Sequence, residues 1–317
     1  MSKACHQPRK IILTGGAGLV GQNLIPRLKA NGYTDIYVFD KNPHNLGVLR
    51  QLHPDVAAAL VDLSVPGTWD ASFNGTDTVV MLQAQICAKD TDTYLRNTVI
   101  STQHVLNAIR KYHVPYLVHV SSSVLESKAD DWYTRTKKQQ EDLVLASGVD
   151  SVILRPTLMF GLFDRKHLGW LSRFMKRVPV FPIPGDGRYL RQPLYVADFC
   201  EIIVRCIEQR RIGGVYHITG LEKVDYIDII RAVRKTVNAH ALIVHIPYRV
   251  FWVLLRTWAI FDANPPFTVS QLKALATPDV FEVIDWPTIF GVQATPFARA
   301  IREAFGDAAY SEIELEL

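Results

Sequence analysis

Apolar residues in the first 155 positions of the 317-residue chain fall into short, nearly continuous runs, separated by longer stretches with helical spacing. Lys10-Ile-Ile-Leu-Thr14, Ile36-Tyr-Val-Phe-Asp40, Ala59-Leu-Val-Asp62 and Thr78-Val-Val-Met-Leu82 read as strands. Tyr116-Leu-Val-His-Val120 and Ser151-Val-Ile-Leu-Arg155 continue the series. Between the strands, Gly18–Asn31, Tyr94–Tyr112 and Tyr133–Ser147 read as helices. Strands alternating with helices predict right-handed crossovers and an α/β fold, a Rossmann-type doubly wound parallel sheet covered on both faces.

After Pro156 the pattern loosens. Residues 157–193 are rich in Phe, Pro, Gly and Arg and read as a loop-rich substrate region. Val196–Glu208 is helical, Gly214–Ile218 is a strand, and Tyr226–Val237 and Tyr248–Phe261 are helix-like. The expected division is a dinucleotide-binding domain over residues 1–156, with 194–220 returning to it. Residues 157–193 and 221–317 then form a smaller substrate-binding subdomain. The tail Ser311–Leu317 alternates acidic and apolar residues and reads as a frayed end, with an edge strand or a partner contact as the alternative.

Composition narrows the class. Hydrophobic residues at 48% and charged residues at 21% exclude a disordered chain. The net charge of +4 comes from scattered basic residues and leaves no electrostatic footprint for nucleic acid. Cys5, Cys87, Cys200 and Cys206 form no C-x-x-C pair, and the histidines form no H-x-x-x-H pair, so no metal site is expected. Sparse cysteines and an N-terminus without an apolar h-region point to a cytoplasmic protein. The stretch Ile243–Phe261 is interrupted by His245, Arg249 and Arg256 and falls short of the roughly 18 apolar residues expected of a membrane span. Its helix-like part, Tyr248–Phe261, suits packing inside the substrate subdomain. A lid, a dimer contact or a membrane-surface face are the alternatives.

Thr14-Gly-Gly-Ala-Gly-Leu-Val-Gly21 has the spacing T-G-x-x-G-x-x-G, directly after a strand and opening a helix. In that context Gly15 permits the tight turn, Gly18 lets the backbone approach a pyrophosphate, and Gly21 lets the helix pack close to the sheet. The helix start at Leu19 and Val20 offers unpaired N–H groups to the phosphates. Asp40 ends the second strand, where a carboxylate accepts from the adenosine ribose hydroxyls and repels a 2′-phosphate, favouring NAD over NADP. Lys41 beside it partly offsets that repulsion. Asp62 and Leu63 follow the third strand, within reach of an adenine, although a simple turn also explains the aspartate.

Tyr133-Thr-Arg-Thr-Lys137 is a Y-x-x-x-K pair, and Tyr37-Val-Phe-Asp-Lys41 is a second one. On a strand, the ends of such a pair lie about 13 Å apart. On a helix, positions i and i+4 share a face with Cβ atoms about 5–6 Å apart. Tyr133 and Lys137 fall on a helix and are the catalytic candidates. A neighbouring ammonium and a positive nicotinamide ring would bring the phenol closer to neutral titration, letting Tyr133 exchange a proton with a hydroxyl as hydride moves. Ser122, at the carboxyl end of a strand, would orient the substrate oxygen; a cap for the next segment is its other use.

These motifs, in this order, resemble the extended short-chain dehydrogenase/reductase superfamily, and within it the NAD-dependent epimerase/dehydratase family. Asn97, Leu154-Arg-Pro-Thr-Leu-Met-Phe-Gly161 and Gly185-Asp-Gly187 through Arg191 to Asp198 are further local matches. The resemblance implies NAD as cofactor, a nucleotide-linked sugar as substrate and a homodimer. It places Ser122 at the family's catalytic Ser/Thr, with Ser123 as its close rival. It also puts Gln83, Ala84 and Pro156 beside the cofactor, Lys137 on the nicotinamide ribose, Gln85 and Ser123 near the substrate, and Arg188 and Arg191 on a diphosphate.

Departures are visible too. Met81-Leu-Gln-Ala84 stands where members often read H-L-A-A, and Leu158 and Phe160 replace the usual Asn and Tyr. Val124 and Leu125 stand where the family's dehydratases place an Asp-Glu pair, which favours an epimerase or a 4-keto-sugar reductase. Pro265-Pro-Phe-Thr and the region to Arg302 resemble polysaccharide-gene epimerase-like proteins and the dehydrogenase-like accessory subunit of respiratory complex I. A non-catalytic nucleotide-binding subunit is therefore the competing class.

Overall fold

In the computed structural model, which describes residues 9–88, 90–126, 131–261, 269–276, 281–306 and 313–316, the short apolar runs line up side by side. β1 (Lys10–Thr14), α1 (Leu19–Ala30), β2 (Ile36–Asp40), α2 (Pro43–Leu52) and β3 (Ala57–Leu60) wind in one direction. β4 (Thr76–Met81) starts the return, followed by α3 (Thr91–Tyr94), a π-helical turn over Leu95–Ile100 and α4 (Ser101–Lys111). β5 (Leu117–Val120), α5 (Trp132–Leu145) and β6 (Ser151–Pro156) complete it. Beyond Pro156 come β7 (Met159–Phe160), α6 (His167–Arg177), β8 (Val180–Pro184), β9 (Leu190–Arg191), β10 (Leu194–Tyr195), α7 (Val196–Gln209) and β11 (Val215–Ile218). β12 (Val224–Asp225), α8 (Tyr226–Thr236), β13 (Leu242–Ile246), α9 (Tyr248–Phe261), α10 (Val269–Ala276), α11 (Trp286–Phe290) and α12 (Phe297–Phe305) follow.

The large sheet has seven parallel strands in the order β11-β6-β5-β4-β1-β2-β3. Successive residues of one strand serve opposite faces. Ile11 and Leu13 pack with Leu24 and Leu28 of α1 and Phe199 and Ile203 of α7. Ile12 packs on the other side with Val79, Leu106, Ile109 and Val144. Each such aliphatic side chain, fully buried, contributes about 1.5–3 kcal/mol. That double burial is why the strands read as apolar runs rather than as an alternation.

Three regions depart from expectation. α2 lies in a segment with little apolar periodicity; its start is set by Asn42, whose Oδ1 accepts from the Asn45 amide at 3.0 Å, and by Pro43 in the first turn. The region expected to be loops contains α6 and β8, whose buried Leu171, Met175 and Ile183 join Ile230 and Ile301 in a second core. Trp286, Phe290 and Val292, expected in the substrate subdomain, pack instead with the core of the large sheet. The Trp286 indole anchors there by donating to the Thr219 carbonyl at 2.8 Å.

The tail is not frayed at 313–316. Glu316 and Asn45 exchange hydrogen bonds of 2.7 and 3.0 Å, and Leu315 is buried. Cys5 and Pro265-Pro-Phe-Thr lie outside the described residues. No described helix is long and apolar enough to cross a membrane.

One polar cluster pins α5 to the sheet. Glu141 accepts from Arg155 Nε at 3.1 Å and Nη2 at 2.5 Å, and from the Ser121 hydroxyl at 2.5 Å. Burial works against its charge, but the guanidinium and hydroxyl hold the Glu141 carboxyl below its ordinary value. Arg155 is partly exposed and keeps a second carboxylate, Glu126, at 3.2 Å. Glu141→Ala should therefore destabilise the fold by about 1.5–3 kcal/mol, through the lost charge-assisted hydrogen bonds to Arg155 and Ser121, as read from urea unfolding.

Candidate active site

β1 and β4 are neighbours in the sheet, but the chain winds outward from them in opposite directions. At such a reversal the loops after the two strands diverge and leave a crevice at the carboxyl ends. Here it is a cleft of about 960 Å³. Gly15, Gly18, Leu19 and Val20 line it from the turn after β1, and Asp40, Asp62 and Leu63 from β2 and β3. Gln83, Ala84 and Gln85 come from the β4 end, and Ser122, Ser123, Tyr133, Lys137 and Pro156 from the opposite wall.

The glycines have distinct physical reasons. Gly15 has φ +69°, and a Cβ there would meet the Gln83 backbone at 2.8 Å. Gly21 does not line the cleft; a Cβ on it would meet the Gly16 carbonyl oxygen at 2.0 Å, so its smallness serves packing. A Cβ on Gly18 would meet nothing nearer than the Gly15 oxygen, at 3.5 Å. Packing inside the protein therefore does not demand glycine at 18, whereas close approach of a ligand would. The turn is braced by Asp40, which accepts from the Ala17 and Asn42 amides, each at 3.0 Å. Burial raises the Asp40 carboxyl above its ordinary value, and those amides and Lys41 oppose the shift. The turn, the first-turn N–H groups of α1 and a strand-end carboxylate fit the adenosine and diphosphate portions of NAD.

α5 begins at Asp131, whose side chain accepts from the Thr134 amide at 2.8 Å. One helical turn then separates Tyr133 from Lys137. Tyr37 and the chain leading to Lys41 sit on β2 and its end, where extended backbone holds that second Y-x-x-x-K pair about 13 Å apart.

The three serines after β5 separate by partner. Ser121 serves Glu141, Ser122 hydrogen-bonds the Tyr133 side chain, and Ser123 opens a 3₁₀ turn over Ser123–Glu126. Burial raises the Tyr133 phenol above its ordinary value, while the Ser122 hydrogen bond pulls it down. Lys137 is not among the groups acting on it. The Lys137 ammonium is fully buried and donates to the Val120 carbonyl at 2.9 Å and to Gln140 Oε1 at 2.5 Å. Burial lowers its titration to about 7, against the raising influence of Glu141.

Gln140 extends this contact. Its Nε2 donates to the Gln83 carbonyl at 3.1 Å and to Thr102 Oγ1 at 2.9 Å, and Gln83 Oε1 accepts from Thr14 Oγ1 at 2.5 Å. The chain of bonds joins the catalytic helix to the ends of β4 and β1. Gln83 is thereby a brace beside the cofactor region, with its Nε2 buried and unpartnered. The Gln85 amide accepts from Asn97 Nδ2 at 2.7 Å and donates to the Ile86 carbonyl at 2.9 Å, so its side chain is engaged within the loop.

Arg188 and Arg191 do not line the cleft. Arg188 pairs with Asp225 at 3.0 Å on the surface, and Arg191 donates to the Leu190 and Leu275 carbonyls. The cations that do line it, besides Lys41 and Lys137, are Arg165 and Lys166, from the loop after β7. Arg165 Nη1 is buried without a hydrogen-bond partner, and the Asp40 charge acts on its guanidinium. Sequence reasoning missed them; the signal was a basic pair closely following Phe160-Gly161. Leu315 and Glu316 of the tail also reach the cleft, beside Asn45.

Fold and site together define a nucleotide-dependent oxidoreductase scaffold. Residues 11–219 match the model of the NAD dependent epimerase/dehydratase family, and the chain belongs to that family as an NAD-dependent enzyme of the short-chain dehydrogenase/reductase type. It is 26% identical to dTDP-glucose 4,6-dehydratase from Actinoplanes, over 67% of this chain and 76% of that one. It is also 26% identical to a farnesyl-dihydroquinoline-oxide ketoreductase from Stigmatella aurantiaca, covering 76% and 77%. The fold matches that of UDP-glucuronic acid 4-epimerase from Bacillus cereus, solved with NAD, at a TM-score of 0.72, 20% identity and coverage of 96% and 100%.

Two outcomes follow from the site's electrostatics. Asp40→Ala should weaken NAD by about tenfold or more and raise relative affinity for NADP, measured as the ratio of the two dissociation constants. Lys137 titrates at about 7 when folded but near 10.4 when unfolded. Between those values the unfolded chain binds the extra proton, so stability rises with pH. Urea unfolding of the ligand-free protein should show the wild type gaining on Lys137→Met as pH increases from about 7 towards about 10.

Proposed function

We propose that the enzyme interconverts an alcohol and a ketone on a nucleotide-linked sugar, as an epimerase, with Tyr133 as its acid/base. The observation that carries this reading is that Ser122, Tyr133 and Lys137 line one cleft, with Tyr133 and Lys137 one turn apart on the same helix. NAD, when bound, supplies reversible hydride acceptance. Tyr133 takes the hydroxyl proton when the alcohol is oxidised and returns it when the carbonyl is reduced. Ser122 holds the same oxygen by a hydrogen bond and orients it towards the phenol. Lys137, tied to Val120 and Gln140, would hold the nicotinamide ribose of the bound cofactor. Arg165 and Lys166, rather than Arg188 and Arg191, stand as the diphosphate partners, because a guanidinium with an unused donor matches phosphate oxygens.

One second reading is a 4-keto-sugar reductase, which would use the same Ser122, Tyr133 and Lys137, with Val124 and Leu125 again standing where a dehydratase would carry an Asp-Glu pair. Against a non-catalytic accessory subunit stands the intact Ser122, Tyr133 and Lys137 set. A structural role has no use for a proton-exchanging group in the cleft.

Assays with UDP-, GDP- and dTDP-linked sugars test these readings. Tyr133→Phe should lower kcat by about 10²–10⁴-fold with NAD affinity retained, and equal activity in both proteins would remove Tyr133 from the mechanism. In the wild type, alcohol oxidation should accelerate with rising pH, since it needs the phenolate. Ketone reduction should persist through neutral pH and fall only as the phenol loses its proton, as measured by initial rates in both directions.

A further inference from the structure

α9 turns its apolar side outward. At 3.6 residues per turn, Val250, Val253, Leu254, Trp258, Ile260 and Phe261 share an arc of about 160°. All six are exposed, with Ile260 at 78% and Phe261 at 85%. Phe251, next to Trp258 at the edge of the arc, is buried, and Tyr248, Trp252 and Leu255 on the far side are half-buried, so the helix already has a packed face and the outward arc is additional to it. The polar residue within the arc, Thr257, has its hydroxyl satisfied by the Val253 carbonyl at 3.0 Å. Such a face presents hydrocarbon without an unmet hydrogen bond.

The flank of the arc is cationic. Arg249 and Arg256 lie one turn-step from Ile260 on the wheel, are exposed, and make no ion pair among the described residues. The Arg256 guanidinium stands 5.0 Å over the Trp252 ring, so its stem runs along the helix while its charge stays at the edge. From Ile229 to Phe261 the sequence contains no Asp or Glu. β13, which leads into α9, adds exposed Leu242, opposite exposed Val180 of β8.

We propose that α9 is a docking face for an anionic lipid surface, lying in the plane of the interface with its apolar arc in the acyl boundary and Arg249 and Arg256 among the headgroup phosphates. A helix of 14 residues is about 21 Å long, too short to span a hydrocarbon core of about 30 Å but suited to lying on it. A second copy of this chain fits less well. Two α9 faces brought together would oppose four guanidiniums with no carboxylate on either helix to pair with them. Lipid phosphates supply the missing counter-charge. The inference does not rest on the identity of the substrate.

Sedimentation of the full chain with vesicles tests it, using phosphatidylcholine alone and phosphatidylcholine mixed with phosphatidylglycerol. The wild type should bind the mixed vesicles far more tightly, and added salt should weaken the binding. Arg249→Gln with Arg256→Gln should cost about 30-fold in affinity for mixed vesicles. Val253→Ser, Ile260→Ser and Phe261→Ser together should abolish binding. All five positions are exposed, so NAD affinity and melting temperature should match the wild type and report an intact fold. No sedimentation of the wild type with mixed vesicles would overturn the proposal, as would equal binding to both vesicle types. Self-association that vanishes in the triple serine variant, without vesicle binding, would overturn it in favour of a second copy.

Discussion

The cleft is organised around one ammonium group taken out of water. A buried lysine retains its place only if the surrounding polar atoms compensate for lost hydration. Here Val120 at the end of β5 and Gln140 one turn along α5 provide those atoms. The first contact fixes the height of α5 above the sheet, and the second passes the constraint through Gln83 to Thr14. The glycine turn, the loop after β4 and the helix bearing Tyr133 are thus held in one register. Glu141, a turn further on, repeats the device with Arg155 and Ser121.

This arrangement changes what Tyr133 is prepared to do. A lysine pointed at the phenol would have favoured the phenolate. With the ammonium engaged on Val120 and Gln140, burial raises the Tyr133 phenol above its ordinary value, and the Ser122 hydrogen bond opposes that rise.

Much of the cleft was legible in the sequence because its determinants are local. Gly15, Gly18 and Gly21 act within one strand–turn–helix unit, and Tyr133 and Lys137 are aligned by helix periodicity alone. The residues that were misplaced or missed depend on non-local contacts. Arg188 and Arg191 carry suitable chemistry, but Asp225 and the Leu190 and Leu275 carbonyls claim them. Arg165 and Lys166 gave little warning, because only the return of the chain after β7 carries them over the cleft.

The sequence by itself determined the doubly wound sheet, the glycine turn after β1 and the alignment of Tyr133 and Lys137 on one helix. Period, glycine spacing and strand-end position are short-range signals and survive without knowledge of distant neighbours. Only the tertiary structure decided which serine meets Tyr133, where the Lys137 charge is spent, which arginines face the cleft, and that the apolar arc of α9 points outward. Each of those depends on burial and on partners far away in the chain, and a hydrophobic periodicity states that a helix has an apolar face without stating what that face meets.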